Sequence, residues 1–181
     1  MKKAFILLAE GFEEVEAITP IDFLRRAGID VTIAGIDGEI ITGSHGIRVK
    51  ADSRVDELSP EDFDAAVIPG GMPGAENVFA SEPARALITG INDQGGLIAA
   101  ICAAPAVVLD PLGILKNRKA SCYPGFEKRF KDARYVDERV VLDGRILTSC
   151  GPGCAADFSF EIIRYLLDSG TAETIRQKTL H

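Results

Sequence analysis

The sequence predicts an α/β three-layer sandwich with a mostly parallel sheet. Short, unbroken apolar runs, typical of strands buried on both faces, alternate along the chain with stretches that carry a helical apolar face. Strands that alternate with helices favour parallel connections. All 181 residues are expected to form one domain, because we find neither an internal repeat nor a low-complexity linker.

The strands are predicted first, because each apolar run is short and bounded by polar residues or glycine. Alternating residues on either side of a glycine-containing turn add a hairpin over 39–50. Two further short pieces, 135–136 and 139–142, are expected to pair with each other. The main strands are predicted at 4–9, 30–35, 64–69, 97–101 and 145–149.

The helices are predicted from their apolar faces and their end signals. The first begins at Glu13 and stops at Gly28, with Pro20 inside it as a signal for a kink or break. A polar, irregular stretch from 116 to 134 is expected at the surface. The remaining helical pieces are predicted at 60–63, 82–93, 103–109, 126–131, 154–169 and 172–179.

Charge and composition exclude some function classes. The net charge is −7 and the isoelectric point is near 4.9, which argues against non-specific binding to nucleic acid. The apolar run at the start is short and is followed by acidic residues, so a signal peptide is not expected. Apolar stretches are too short for a membrane span. We therefore expect a cytoplasmic protein whose four cysteines are reduced thiols.

The stretch around Cys102 predicts a sharp turn from a strand into a helix. The apolar residues 97–101 run directly into Cys102, and a helix-like stretch follows with no linker. Pro105 is tolerated only in the first turn of a helix, so the strand must turn sharply at the cysteine. This pattern is typical of a nucleophile elbow, where the helix N-terminus favours the thiolate. The alternative is a buried structural cysteine.

A cysteine nucleophile needs a partner that handles protons, and the chain has only two histidines. His45 lies in a glycine-flanked turn, where a solvated side chain is the ordinary outcome. His181 is the last residue and is expected to be frayed. A Cys–His pair therefore has little support.

Carboxylates are the other option for the proton-handling partner. Glu13, Glu14 and Glu16 cluster where the first helix begins, a position that commonly favours acids. Glu16 stands one turn into the helix and would reach a neighbouring strand end. A carboxyl held there away from water would have a raised pKa and could donate a hydrogen bond to the Cys102 thiolate.

Two glycine-containing turns follow predicted strands. Gly70 and Gly71 fit a tight turn, or a pair of exposed amides that form an oxyanion hole with Ala103. The second turn, 151–153, is read as a helix start. Cys150 and Cys154 flank it without further ligands at suitable spacing, so we expect no metal.

These pieces jointly resemble the ThiJ/PfpI superfamily, in the branch of the parkinsonism-associated deglycase and its bacterial relatives. The resemblance covers about residues 3–167, and its order and spacing make it specific. Its markers are the stretches 9–16 with Pro20 and Asp22, 25–28, 67–71, 99–105 and 147–153.

The resemblance implies a flavodoxin-like sandwich that forms a homodimer with the first helix near the interface. It assigns Cys102 as the reactive, oxidation-sensitive cysteine and Glu16 as its protonated partner. Gly71 and Ala103 take the backbone-donor roles, with Gly70 beside them. Members of the family are described as cofactor-independent glyoxalases acting on methylglyoxal, as deglycases, and as oxidative-stress sensors or chaperones.

Three departures from the family pattern matter. Tyr123, next to Cys122 in a segment that could lie over the pocket, stands where relatives often carry histidine. Cys150 replaces an arginine, and Ala103 stands where the protease branch has histidine. Tyr123 and Cys150 are predicted to contact the substrate.

The sequence thus predicts a cysteine-dependent, cofactor-independent enzyme acting on small aldehydes or glycated substrates. The first alternative is an oxidative-stress sensor or protective chaperone that works through oxidation of Cys102. The second is an amidase or peptidase, which the missing histidine disfavours.

Overall fold

A seven-stranded sheet forms the centre of the protein in the computed structural model, which describes residues 1–36 and 38–181. The strands are β1 (Lys3–Leu8), β2 (Asp30–Gly35), β3 (Ile40–Thr42), β4 (Arg48–Lys50), β5 (Ser53–Arg54), β6 (Ala65–Ile68), β7 (Leu97–Ile101), β8 (Lys119–Ala120), β9 (Arg134–Tyr135), β10 (Val140–Asp143) and β11 (Ile146–Ser149). The order in this sheet is β10-β11-β7-β6-β1-β2-β5, and among the described residues its only antiparallel pair is β10–β11.

Helices cover the sheet in two groups. They are α1 (Glu14–Arg26), α2 (Gly74–Ala80), α3 (Glu82–Asp93), α4 (Ala155–Leu166) and α5 (Ser169–Lys178). One group holds α1, α4 and α5, where the Phe23 and Phe160 rings stack at 5.4 Å between centroids. The other holds α2 and α3, which contacts β6 and β7. Among the described residues, no helix combines the length and apolarity that a bilayer crossing requires.

The central strands are apolar because both faces of the sheet are covered. Every residue of β6 and β7 is buried, and so is all of β1 after Lys3. Such strands cannot alternate apolar and polar residues as a half-exposed strand does. The predicted α/β sandwich with a mostly parallel sheet is confirmed.

Two strand predictions have different outcomes. The hairpin predicted over 39–50 is present as the antiparallel pair β3–β4. The predicted pairing of 135–136 with 139–142 is wrong, because β9 pairs with β8 and β10 pairs with β11. A two-residue connection, Gly144–Arg145, joins β10 to β11, and this favours the antiparallel hairpin over the pairing we expected.

The helix predictions need corrections at several points. Helix α1 continues through Pro20, where the missing N–H removes only one intrahelical hydrogen bond. The helix predicted over 154–169 ends at Leu166, because Asp168 caps a new helix by accepting a bond from the Thr171 N–H at 2.7 Å. Helix α2 was not predicted. The helical segment after Cys102 spans Pro105–Leu109 and closes with an i→i+5 bond.

The sheet order brings the four sequence features at strand ends to one edge. The neighbouring strands β1, β6, β7 and β11 run parallel, so their carboxyl ends lie side by side. These ends lead into the turn before α1, Gly70, Cys102 and Cys150, respectively. Ligands of open α/β sheets bind at this edge.

Candidate active site

Cys102 stands on a sharp turn at the end of β7. Its φ is +65°, a left-handed conformation that non-glycine residues rarely adopt and that is typical of a nucleophile elbow. The Cys102 N–H donates to the Ser149 carbonyl at 2.9 Å, and the Cys102 carbonyl accepts from the Tyr123 N–H at 2.8 Å. These bonds hold the strained residue from both sides. Only 8% of Cys102 is exposed.

Glu16 reaches the end of β6 from the first turn of α1. Glu13 caps this helix by accepting a bond from the Glu16 N–H at 2.8 Å, and its own N–H donates to the Gly70 carbonyl at 3.0 Å. The Gly70 N–H in turn donates to Glu16 Oε2 at 2.8 Å. Gly70 is therefore bonded on both sides of its backbone to the start of α1, which fixes the fully buried Glu16 carboxyl.

The Glu16 carboxyl meets the Cys102 thiol. Its Oε1 is buried and has no hydrogen-bond partner among the described residues. The Cys102 sulfur lies beside the carboxyl, since a Cβ on Gly70 would stand 2.7 Å from Glu16 Oε2 and 3.0 Å from Cys102 Sγ, and each of the two groups shifts the pKa of the other. The structure thus places Glu16 at the neighbouring strand end that the sequence predicted it would reach from the first helix.

Two glycines make this contact sterically possible. A Cβ on Gly70 would stand 2.6 Å from the Cys102 Cβ and 2.7 Å from Glu16 Oε2, so any side chain there would separate the pair. Gly71 has a φ of +87°, and a Cβ there would stand 2.6 Å from the Gly11 carbonyl oxygen. Paired glycines after β6 therefore serve both the turn and the approach of backbone to the thiol.

Burial raises the pKa of Glu16 to about 7, and the charge of Glu13 acts in the same direction. The hydrogen bonds from Cys102 and from the Gly70 N–H oppose this rise by favouring the carboxylate. Glu16 is therefore able to take up and release a proton near neutral pH, as a general acid or base must.

The pKa of the Cys102 thiol differs from our prediction, which expected a thiolate. Burial raises its pKa well above the ordinary range, and the charge and hydrogen bond of Glu16 add to this rise. The N–H groups of Gly71 and Ala103 lower the pKa, but they do not outweigh the loss of water. A free thiolate beside an ionised Glu16 is thus disfavoured. The two groups titrate as a pair that holds one proton and one negative charge above neutral pH.

Glu14 and His45 form a separate cluster on the other side of Glu13. The Glu14 carboxylate accepts bonds from the His45 N–H at 2.7 Å, the His45 ring Nδ1 at 2.8 Å and the Ser44 hydroxyl at 3.3 Å. Burial would raise the Glu14 pKa, but these bonds lower it to about 2. The described residues that could jointly hold a metal are Glu13, Glu14 and His45. Glu14 already accepts several hydrogen bonds, which indicates a structural role in holding the 43–47 loop.

The other candidate residues lie around the same edge. Tyr123 is 45% exposed, and its ring lies over Gly151, where an added Cβ would stand 3.3 Å from ring Cδ2. Cys122 beside it is buried. Cys150 is half-buried and its Sγ lies 3.1 Å from Cys154 Sγ, a contact that the sequence did not predict.

Among the described residues, neither histidine is in contact with Cys102. His45 is bonded to Glu14 on an exposed loop, as a solvated turn residue would be. His181 was expected to be frayed. Instead its ring lies against Phe23 at 5.7 Å and Phe160 at 5.8 Å between centroids.

This fold and this site define a class of α/β proteins with a cysteine on a nucleophile elbow beside a buried carboxyl. The chain belongs to the DJ-1/PfpI family, whose model matches residues 2–165.

The chain is similar to several members of this family. It is 40% identical over 168 residues to Protein DJ-1 homolog B of Arabidopsis thaliana, covering 92% of this chain but 38% of that protein. It is 36% identical to Deglycase PH1704 of Pyrococcus horikoshii, covering 91% of this chain and 99% of that protein. The solved structure of oxidised Toxoplasma gondii DJ-1 superposes with a TM-score of 0.97 at 40% identity, over 100% of this chain and 99% of the other.

The chain spans less than half the length of two plant relatives. DJ-1 homolog A of Arabidopsis thaliana is 37% identical over 96% of this chain, which is 45% of that protein. The unit seen here therefore also forms part of longer proteins.

Proposed function

We propose that this protein is a cofactor-independent enzyme of the glyoxalase or deglycase type, which acts on small reactive carbonyls such as methylglyoxal. The observation that carries the proposal is the contact between the buried Glu16 carboxyl and the Cys102 thiol. It joins a nucleophile to a group that exchanges protons near neutral pH.

In the first step, Cys102 Sγ bonds to the aldehyde carbon of methylglyoxal while the thiol proton passes to Glu16. The carbonyl π electrons move to oxygen, which the N–H groups of Gly71 and Ala103, the same groups that lower the pKa of Cys102, would stabilise. Glu16 then protonates this oxygen, giving a hemithioacetal on sulfur and restoring the carboxylate.

In the second step, Glu16 removes the hydrogen from the carbon bonded to sulfur and returns a proton to the neighbouring carbon, while the hydroxyl proton of the first carbon passes to the ketone oxygen of the second. The electrons released make the first carbon a thioester carbonyl and the second an alcohol. Water then cleaves the C–S bond, which releases a 2-hydroxy acid and restores the thiol. The sum is methylglyoxal plus water to hydroxy acid, with no external oxidant or reductant.

The burial of the site supports a small substrate. With Cys102 only 8% exposed and Glu16 fully buried, a compact two- or three-carbon carbonyl fits this approach better than a peptide chain. The name of the P. horikoshii relative, a deglycase, is in line with carbonyl chemistry at such a site.

The proposal is tested by methylglyoxal consumption without glutathione. We expect wild type to produce hydroxy acid and Cys102→Ala to lose this activity. Cys122→Ala is the matched control, because it removes a buried thiol outside the Glu16–Cys102 pair. Equal consumption by wild type and Cys102→Ala would refute the proposal.

A second candidate function is oxidant sensing or protection through Cys102. The T. gondii relative was solved in an oxidised form, and the amides facing Cys102 Sγ would also hold the oxygens of a sulfinate. Mass spectrometry after mild peroxide separates the two functions. Addition of two oxygens at Cys102, in a protein that does not turn over methylglyoxal, would favour the sensor.

An amidase or peptidase is the weakest of the three candidates. Ala103 follows the nucleophile, and neither histidine contacts Cys102 among the interactions described. Protonation of a leaving amine would then depend on Glu16 alone.

We also propose that the whole chain is one domain and forms a cytoplasmic homodimer. Val15 and Ile18 of α1 are 49% and 41% exposed, and they border a groove of about 390 Å³ together with Pro152 and Gly153. A second copy of the chain would cover these apolar side chains. Light scattering should give twice the monomer mass for wild type, and a lower mass for Ile18→Asp.

A further inference from the structure

Two cysteines outside the Glu16–Cys102 pair lie at hydrogen-bond distance from each other. Cys150 Sγ and Cys154 Sγ are 3.1 Å apart, and both are free thiols. A disulfide has an S–S distance of about 2.05 Å, so the two sulfur atoms need to approach by roughly 1 Å. Side-chain rotation can supply a movement of this size.

The turn between them holds the two side chains on the same side. Residues 152–154 form a single 3₁₀ turn, closed by a bond from the Cys154 N–H to the Gly151 carbonyl at 2.8 Å. A Cβ on Gly153 would meet no atom within 4 Å, so this part of the turn has room to adjust. The chain thus needs no long-range rearrangement to join the sulfur atoms.

The surroundings differ for the two sulfur atoms. Cys150 is half-buried and reachable from solvent, whereas Cys154 is 3% exposed. Arg139 spans the turn by donating from Nη2 to the Gly153 carbonyl at 2.8 Å and to Asp157 Oδ2 at 3.2 Å. Its positive charge acts to lower the pKa of Cys150. Cys150 is therefore the sulfur that an oxidant meets first.

We propose that Cys150 and Cys154 form a redox-active dithiol that a hydroperoxide converts to an intramolecular disulfide. The Cys150 thiol gives up its proton as its sulfur attacks the terminal peroxide oxygen, the O–O bond breaks, and Cys150 becomes a sulfenic acid while the second oxygen takes up the proton and leaves as water or alcohol. Cys154 then attacks the Cys150 sulfur, the S–O bond breaks, and water leaves. The two thiols lose two electrons and two protons, and a small thiol reductant reverses the change.

The resting form of Cys150 near neutral pH is the neutral thiol. Burial and the neighbouring Cys154 raise the pKa of Cys150 to about 11, while Arg139 lowers it only in part. The disulfide, like the two neutral thiols, carries no charge, so the oxidation leaves no buried charge behind. The proposed site is independent of turnover at Cys102.

The test is peptide mapping of the full-length protein after mild hydrogen peroxide and alkylation of the remaining thiols. Trypsin separates the cysteines, since residues 146–164 carry both Cys150 and Cys154, residues 120–128 carry Cys122, and residues 86–116 carry Cys102. We expect peptide 146–164 to lose two hydrogen atoms and both alkylation sites, and to regain both after reduction. The chain should remain monomeric on a non-reducing denaturing gel.

Matched variants distinguish this pair from other partners. In Cys154→Ser, and in Cys150→Ser, the disulfide form of peptide 146–164 should disappear, whereas in Cys122→Ser it should form as in wild type. The proposal is overturned if the peptide keeps both thiols while Cys102 is oxidised. It is also overturned if Cys150 is found joined to Cys122, to Cys102 or to a second chain. Because the readout is a mass and not a rate, the result is the same whether or not the protein consumes methylglyoxal.

Discussion

The Glu16 carboxyl and the Cys102 thiol lie side by side in the interior of the protein, where the first turn of α1 meets the end of β7. Gly70 lies between them, with its N–H on Glu16 Oε2 and no side chain to hold them apart. The proposed chemistry depends on this contact, and so do the first two predictions.

The first prediction concerns stability and pH in Glu16→Gln. The folded pKa of Glu16, about 7, lies above its ordinary value of 4.5, so the folded protein retains a proton that the unfolded chain has lost between these values. Stability of wild type should therefore fall as pH rises from about 4.5 to 7, by on the order of 3 kcal/mol relative to Glu16→Gln. Urea unfolding of both proteins at pH 4.5 and pH 7.5 measures this difference, at about the two ends of the window.

The difference in unfolding free energy between wild type and Glu16→Gln isolates the contribution of Glu16, because the two proteins share all the other titrating groups. An equal pH dependence in wild type and Glu16→Gln would show that the Glu16 carboxyl is not held protonated by burial.

The second prediction concerns Gly70→Ala. Its methyl group would stand 2.6 Å from the Cys102 Cβ and 2.7 Å from Glu16 Oε2, so the two side chains must move apart. A displacement of this size at a reacting pair should lower kcat for methylglyoxal by about 10²-fold. Cys122→Ala is the control, since it changes a buried side chain outside the Glu16–Cys102 pair, and it should stay close to wild type. Full activity of a folded Gly70→Ala would argue against a catalytic contact between Glu16 and Cys102.

The third prediction concerns the loop held by Glu14. Replacing Glu14 by Gln weakens the bonds from His45 and Ser44, which should destabilise the fold by about 1–3 kcal/mol at neutral pH. Amides of residues 43–47 should exchange hydrogen faster. Because the folded pKa of Glu14 is about 2, its contribution is present above pH 4.5 and lost as pH falls towards 2.

Glu10→Gln is the matched comparison for the loop. Glu10 also accepts a bond from this region, from the Thr42 N–H at 2.9 Å, but it is exposed and its replacement should cost little. Equal protection of the 43–47 amides in wild type and Glu14→Gln would contradict the role assigned to Glu14.

Much of the fold could be predicted because the central strands are apolar runs with clear ends. Residues 64–69 and 97–101 lie between covered faces, so burial alone determines their composition. The pairing of 135–136 could not be predicted, since β8 and β9 are two residues each and carry no pattern. Helix α2 was missed because Pro73 and Gly74, both typical of turns, stand at its start.

The geometry of the site followed from the sequence more closely than its electrostatics. We predicted that Glu16 lies near Cys102, because the strand ends share one edge of the sheet and the Glu16 carboxyl stands one turn into the first helix. The thiolate, however, was expected from the helix that follows Cys102, and the structure shows that burial and Glu16 dominate instead. Desolvation depends on how tightly α1 and β6 close over the sulfur, which spacing along the chain does not encode.

The Cys150–Cys154 contact is the feature that sequence reasoning missed. The four-residue spacing is visible in the sequence, but it suggested only a test for metal ligation. A tight turn at residues 152–154, rather than the beginning of a regular helix, brings the two sulfur atoms to 3.1 Å.

The most direct test of the central claim is the rate of hydroxy acid formation from methylglyoxal in Glu16→Gln, Cys102→Ala and the double variant, without glutathione. If the two side chains act as one unit, Glu16→Gln should lower kcat by at least about 10²-fold. The double variant should then have the same rate as Cys102→Ala, because the effects of substitutions within one catalytic unit are not additive. A Glu16→Gln protein that forms hydroxy acid at the wild-type rate would contradict the account.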